Sequence, residues 1–157
     1  VPRIKTDTPI IVRSGSVDDV RSHGELLLKE HWEEVAKNKH LMVLSPDWKS
    51  YYALEEAGKL ITLTAWTGPE LVGYSVNFFG SHLHYSGLQY AQNDILFVLK
   101  KHRATGIGPR LILATESAAR QKGCKLMLWH SKQDTALLRL LPKMGYGIQD
   151  IVHSKEL

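Results

Sequence analysis

Residues 96–122 hold the arrangement that most limits the fold. LFV at 96–98 reads as a strand core, HRATGIGPRL at 102–111 places two glycines two apart, and an apolar helical pattern runs from about 109 to 122. A helix start leaves N–H groups unpaired and carries partial positive charge. Glycine lets the preceding loop curl so that several amides point at one anion. The same glycines also suit a plain strand-to-helix turn, and spacing alone does not choose between the two. The phosphate-loop pattern GxxxxGK[ST] is absent, and Ala104 and Thr105 stand near where a dinucleotide fingerprint needs its first glycine. Lys100, Lys101 and Arg103 would add charge for phosphates, and Arg110 follows them.

Around this centre the chain reads as an arm over 1–9 and one domain over 10–157, a length that suits one core. Residues 10–13 form a strand. Ser16 and Asp19 then make a capping box for a helix reaching about 37, with Val20, Leu27, His31, Trp32 and Val35 facing inward. Ser45-Pro46-Asp47 opens a second helix that Gly58 stops. Strands follow at 59–67 and 71–79 around a turn at 67–70, and at 90–99 after Ser86-Gly87. The helix after the glycines leads to a strand at 125–130, a helix at 135–144 kinked at Pro142, and a last strand at 146–153. The order β-α-α-β-β-β-α-β-α-β is that of an α+β domain around a mixed sheet.

Lys and Arg number 20 against 16 Asp and Glu, a mild excess gathered at one loop. With no recognition-helix pattern or stacking motif, nucleic acid is not an expected partner. No apolar run reaches membrane-spanning length, and VPRIKTDTPI lacks a signal-peptide core. The single cysteine, Cys124, excludes an internal disulfide and a multi-cysteine zinc site, so the expected location is the cytoplasm.

Arg103-Ala-Thr-Gly106-Ile-Gly108 resembles the Q/R-x-x-G-x-G/A signature of the GNAT acyltransferase superfamily, with a strand before it and a helix after it. Leu141-Pro-Lys-Met-Gly-Tyr146 is similar to that family's Y-x-K-x-G-F segment, and the element order is the family's. The middle of the chain is also similar to acetyltransferase-like proteins of phages and prophages. The resemblance implies a mixed, mostly antiparallel central sheet flanked by helices. It implies acetyl-CoA as donor, an amine as acceptor, and a homodimer as one assembly open to the chain. The amides of Arg103, Ala104, Thr105, Gly106, Ile107 and Gly108 would take the pyrophosphate. The exposed backbone of Leu96, Phe97 and Val98 would pair with the pantetheine arm where the family's sheet splays, and an amide there would polarise the thioester carbonyl. Pro109 departs from members that use an N–H at that position.

Acyl transfer to an amine requires that the amine lose a proton and the thiolate leave. The resemblance points to the strand before the signature for the base. Asp94 is the first candidate, in line with Leu96 and Val98 by alternation; the competing reading is a solvated strand-end aspartate. His82 and His84 are the second, on one side of a strand if 81–85 is extended, and histidine is a residue type that suits a base. A polar strand end explains them equally, and no third ligand accompanies them for a metal. The family's leaving-group tyrosine corresponds to Leu141, which cannot donate a proton and keeps open a CoA-binding or catalytically weak domain. Asp134 reads as a helix cap. Trp32, Trp48, Tyr51 and Tyr52 lie on the two early helices, which the resemblance implies help wall the acceptor site, while their helical spacing reads as core; Trp129 and Tyr146 read as core, and Glu33 and Glu34 either draw a cationic acceptor or face solvent.

Overall fold

Strands adjacent in sequence are adjacent in the sheet. In the computed structural model, which describes residues 8–157, β1 (Ile10–Ser14), β2 (Leu60–Thr67), β3 (Glu70–Ser81) and β4 (Gln89–Val98) pair antiparallel in that order. A three-residue β5 (Leu126–Leu128) joins β4 in parallel. The helices are α1 (Val17–His23), α2 (Glu25–Val35), α3 (Trp48–Glu56), α4 (Ile107–Gln121) and α5 (Ala136–Leu140), with 3₁₀ turns at Lys100–Thr105 and Leu141–Met144. This is the expected mixed, mostly antiparallel α+β fold.

Strands β2 and β3 are buried along most of their length, so both faces of the sheet are covered. On one face Ser75 bonds Thr115 of α4 at 3.0 Å, and on the other Tyr74 bonds His31 of α2 at 2.8 Å. Helix α4 buries Ile107, Leu111, Thr115 and Ala119, a stripe at every fourth residue. Each large apolar side chain buried there is worth about 1.5–3 kcal/mol.

Several boundaries differ from expectation. The helix over 16–37 is two helices. Ser16 and Asp19 do form the capping box, but α1 ends at Gly24, whose N–H bonds Val20 O at 2.8 Å. A Cβ at Gly24 would lie 2.3 Å from that oxygen, so the break requires glycine. Val20 and Leu27 are buried, whereas His31, Trp32 and Val35 are half-buried. Helix α3 is capped by Asp47, which accepts from Ser50 N at 3.1 Å, and Ser45 and Pro46 lie outside it. Helix α4 starts two residues earlier than expected, at Ile107, and Pro109 fits its first turn.

Near the C-terminus Thr135, not Asp134, caps α5, and Asp134 adopts φ 62° instead. Pro142 sits in the 3₁₀ turn that follows, not in a kinked helix. The strand expected at 146–153 does not form. Ile148, Ile151 and Val152 are 80%, 74% and 79% exposed, because β5 offers only three residues of edge and no further strand covers their side chains. The expected arm falls largely on residues 1–7, outside those described. No helix among the described residues is long and apolar enough to cross a membrane.

Candidate active site

Strands β4 and β5 part company after Gln92. Their ladder runs Tyr90–Leu126, Ala91–Met127 and Gln92–Leu128, then stops. At the parting point the Asn93 side chain replaces the missing rungs: Nδ2 donates to His130 O at 3.1 Å, and Oδ1 accepts from His130 N at 2.5 Å. Beyond it one edge of β4 is open. Leu99 N–H donates to Val72 O on the β3 side, so the antiparallel alternation turns the peptide groups of Val98 and Leu96 to the open edge. Phe97 faces β3, which reduces the expected three-residue edge to two. Val98 O is itself occupied, accepting from Arg103 Nε at 3.0 Å.

The open edge leads to the glycine turn. Arg103, Ala104 and Thr105 lie inside the 3₁₀ turn, and Gly106 takes the left-handed conformation, φ 78°, that ends it. Helix α4 starts at the next residue. Among the described residues the N–H groups of Gly106, Ile107 and Gly108 meet no backbone or side-chain acceptor. Three unpartnered amides stand at the positive end of a fifteen-residue helix, which suits an anion.

The cationic side chains nearby have partners within the chain. Arg103 forms a two-pronged pair with Glu34 of α2, at 2.8 and 2.7 Å, and its guanidinium lies 4.8 Å from the Phe97 ring centre. Lys101 pairs with Glu70 at 2.5 Å, Lys100 stands 3.9 Å from Glu34, and Arg110 donates to Ile10 O at 3.0 Å. Each of these cations expected to serve phosphates therefore has a partner within the chain. Glu34 is explained too, as the partner of Arg103 and not as a free solvent-facing charge. The hydrogen bond from Arg103 holds its carboxyl below the usual value.

Asp94 stands at a β-bulge. Val76 pairs with Ile95 and Asn77 with Asn93, so Asp94 is the extra residue. The bulge interrupts the alternation that aligned it with Leu96, and it leaves the carboxylate exposed. Tyr51 of α3 donates its hydroxyl to Asp94 Oδ2. Burial and that bond raise the tyrosine's pKa well above its ordinary value. Nearby, His31 stacks on Phe97 with ring centres 4.8 Å apart. Burial, reinforced by Lys132, lowers its pKa to about 4, so it is neutral at pH 7.

Two cavities meet at these residues. A cleft of about 2050 Å³ takes in the open edge of β4, Gly106, Gly108 and Asp94. A second cavity of about 430 Å³ lies between α2, α3 and the bulge, and Asp94, Ile95 and His31 line both. The sequence reading missed His31 and Asn93 as site residues and favoured core over pocket for Tyr51. One signal was present: a histidine in phase with the inward face of a helix.

His82 and His84 are not brought to either cavity. Residues 82–88 form the β3–β4 loop and not a strand, which corrects the shared-face expectation. His82 Nδ1 accepts from His84 N at 3.1 Å and Tyr85 N at 3.3 Å, holding that loop. Leu141 is buried beside the large cleft, 7% exposed. Tyr146 donates to Glu116 Oε1 at 2.5 Å and packs edge-on to Trp129; its pKa is pushed up to about 12 by burial and that bond.

The family model for the acetyltransferase (GNAT) family matches residues 25–146. No curated protein matches by sequence. Among solved structures, a transcriptional regulator from Bacillus halodurans is similar at TM-score 0.76 and 18% identity, covering 95% of this chain and 100% of that one. A ribosomal-protein-alanine N-acetyltransferase from Brucella melitensis is similar at 0.70 and 17%, covering 94% and 98%. An aminoglycoside acetyltransferase from an uncultured soil metagenomic sample, in complex with sisomicin, is similar at 0.73 and 16%, covering 94% and 95%. At these identities the likeness is one of fold.

Proposed function

The chain belongs to the acetyltransferase (GNAT) family, and from that premise we propose that it is an acetyl-CoA-dependent N-acetyltransferase. One observation carries the reading: Gly106 and Gly108, whose amides are unpartnered, the free edge of β4 and a bulged carboxylate line one continuous cleft. The residues fit such a donor. Gly106, Ile107 and Gly108 would take the diphosphate through their N–H groups. Leu96 and Val98 would pair with the amides of the pantetheine arm. Acetyl-CoA, when bound, supplies the acetyl group as a thioester.

The chain's own residues do the rest. Asp94, oriented by Tyr51, takes the proton that the acceptor's ammonium must lose before its nitrogen attacks. An amide of the open edge would stabilise the oxyanion that forms. Attack is direct, without a covalent enzyme intermediate. Cys124 is buried, and desolvation raises its thiol pKa, which makes it a poor nucleophile.

Leu141 favours a second reading, a CoA-binding domain with little or no turnover, because the family's proton-donating tyrosine is an apolar side chain here. Calorimetric titration with acetyl-CoA, followed by thiol release across an amine panel, separates the two. Transfer predicts release that Asp94→Asn lowers by about 10²–10⁴-fold, with donor affinity unchanged. Full activity in that variant removes Asp94 as base. Donor binding without release from any amine supports the second reading.

A further inference from the structure

The smaller cavity carries a statement about the acceptor. It is walled by Trp32, Trp48 and Tyr51 and by Met42, Val43 and Leu44 from the loop between α2 and α3. Those three aliphatic side chains are 52%, 69% and 40% exposed, a run of apolar surface left open by the rest of the described residues. The wall is braced from within. Trp32 Nε1 donates to Met42 O at 2.5 Å, Lys39 Nζ lies 5.1 Å from the Trp32 ring centre, and the rings of Trp48 and Tyr51 stand 6.0 Å apart.

Charge is scarce there. Among the described lining residues Asp94 is the one carboxylate and Lys132 the one cationic side chain, while His31 is neutral. A single ammonium can be paired with Asp94 and face the tyrosine ring. A second or third ammonium finds no carboxylate and meets Lys132, and a buried unpaired charge is costly.

On the reading that this end of the cleft receives the acceptor, we propose that the acceptor is a small primary amine with one positive charge and an apolar, ring-bearing body. Its nitrogen lies at Asp94 and its body against Trp48, Tyr51 and the 42–44 loop. Polyamines and aminoglycosides are excluded as preferred acceptors. The ammonium gives up one proton to Asp94, its nitrogen bonds the acetyl carbon as the thioester's C–S bond breaks, and the second proton shed by that nitrogen leaves with the thiolate, which is released as the free thiol.

The experiment compares 2-phenylethylamine with spermidine in two readouts. Thiol release with saturating acetyl-CoA should favour 2-phenylethylamine by about tenfold or more in kcat/KM. Tryptophan fluorescence without acetyl-CoA should change on adding 2-phenylethylamine, with most of the change lost in Trp48→Phe. Met42→Glu adds a carboxylate at an exposed rim position and should shift the preference toward spermidine. A wild-type preference for spermidine, or no fluorescence response to 2-phenylethylamine, overturns the acceptor assignment. If acetyl-CoA fails to bind while fluorescence still responds, the cavity assignment stands and the transferase reading falls.

Discussion

Replacing Gly106 with glutamate puts a negative charge where the donor's diphosphate is proposed to rest. The structure separates two costs. Gly106 adopts φ 78°, and an L-residue held there costs about 1–2 kcal/mol. No atom lies within 4 Å of a Cβ at this position, so no clash adds to that strain. For a domain of this size the strain lowers Tm by roughly 2–8 °C. The charge cost acts on binding alone. At a separation of about 5 Å and an effective dielectric constant of about 20, one pair of like charges repels by about 3 kcal/mol. That is roughly a hundredfold in affinity. Calorimetry with CoA on wild type, Gly106→Ala and Gly106→Glu, together with thermal melts, reads both costs. The two variants should melt alike, while only glutamate weakens CoA by about two orders of magnitude, less so as salt rises. The reasoning fails if Gly106→Glu binds CoA within about threefold of wild type, or if Gly106→Ala loses as much.

Other expectations follow from the same geometry. Arg103→Ala should lower CoA affinity by about tenfold through a loosened turn, with an unchanged salt dependence of binding; a clearly flatter salt slope would put the guanidinium on the phosphates. Acid should destabilise the protein through two groups. His31 is held neutral, so its contribution is complete above the ordinary value of 6.5 and is lost as pH falls toward about 4. Across that window the loss amounts to about 3 kcal/mol. Glu34 acts in the same direction at lower pH, its contribution present above the ordinary 4.5 and lost as pH falls through its lowered value. Melting His31→Gln across this range should show a flatter acid limb than wild type; an identical limb would assign the loss elsewhere. Asn93→Ala strands the His130 N–H and should cost about 1–3 kcal/mol, seen as a lower Tm and faster amide exchange at His130; unchanged exchange would mean the bridge is idle.

The glycine turn, the β2–β3 hairpin and the first capping box were legible because each depends on neighbours in sequence. Ser16 and Asp19 satisfy one another's backbone groups three residues apart. Thr67 and Glu70 frame a turn whose strands are rich in β-branched residues. Where the outcome depended on distant partners, the reading failed. Gly24 is the one local mark of the break into two helices, but the apolar period runs on across it and hides the stop. Asp94 sits on a bulge created by pairing with Val76 and Asn77, and alternation along β4 alone does not reveal it. Arg103 carries a phosphate-binder's position and charge, but Glu34, sixty-nine residues earlier, claims it. The apolar residues at 148–152 look strand-like, yet a strand needs an edge, and β5 is too short to give one.

Arg103 also joins two parts of the molecule that the chemistry must use in concert. It grips the carbonyl at the end of β4, and with its other nitrogens it holds the helix that presents His31 to the smaller cavity. Tension at either end is transmitted to the other through one rigid, planar group. On the proposed function, a nucleotide seated at the turn stiffens the wall that greets the second substrate, and by thermodynamic reciprocity the second substrate tightens the first. Initial-rate plots should then show each substrate lowering the apparent KM of the other, and cutting the strut at Glu34 should weaken that mutual effect.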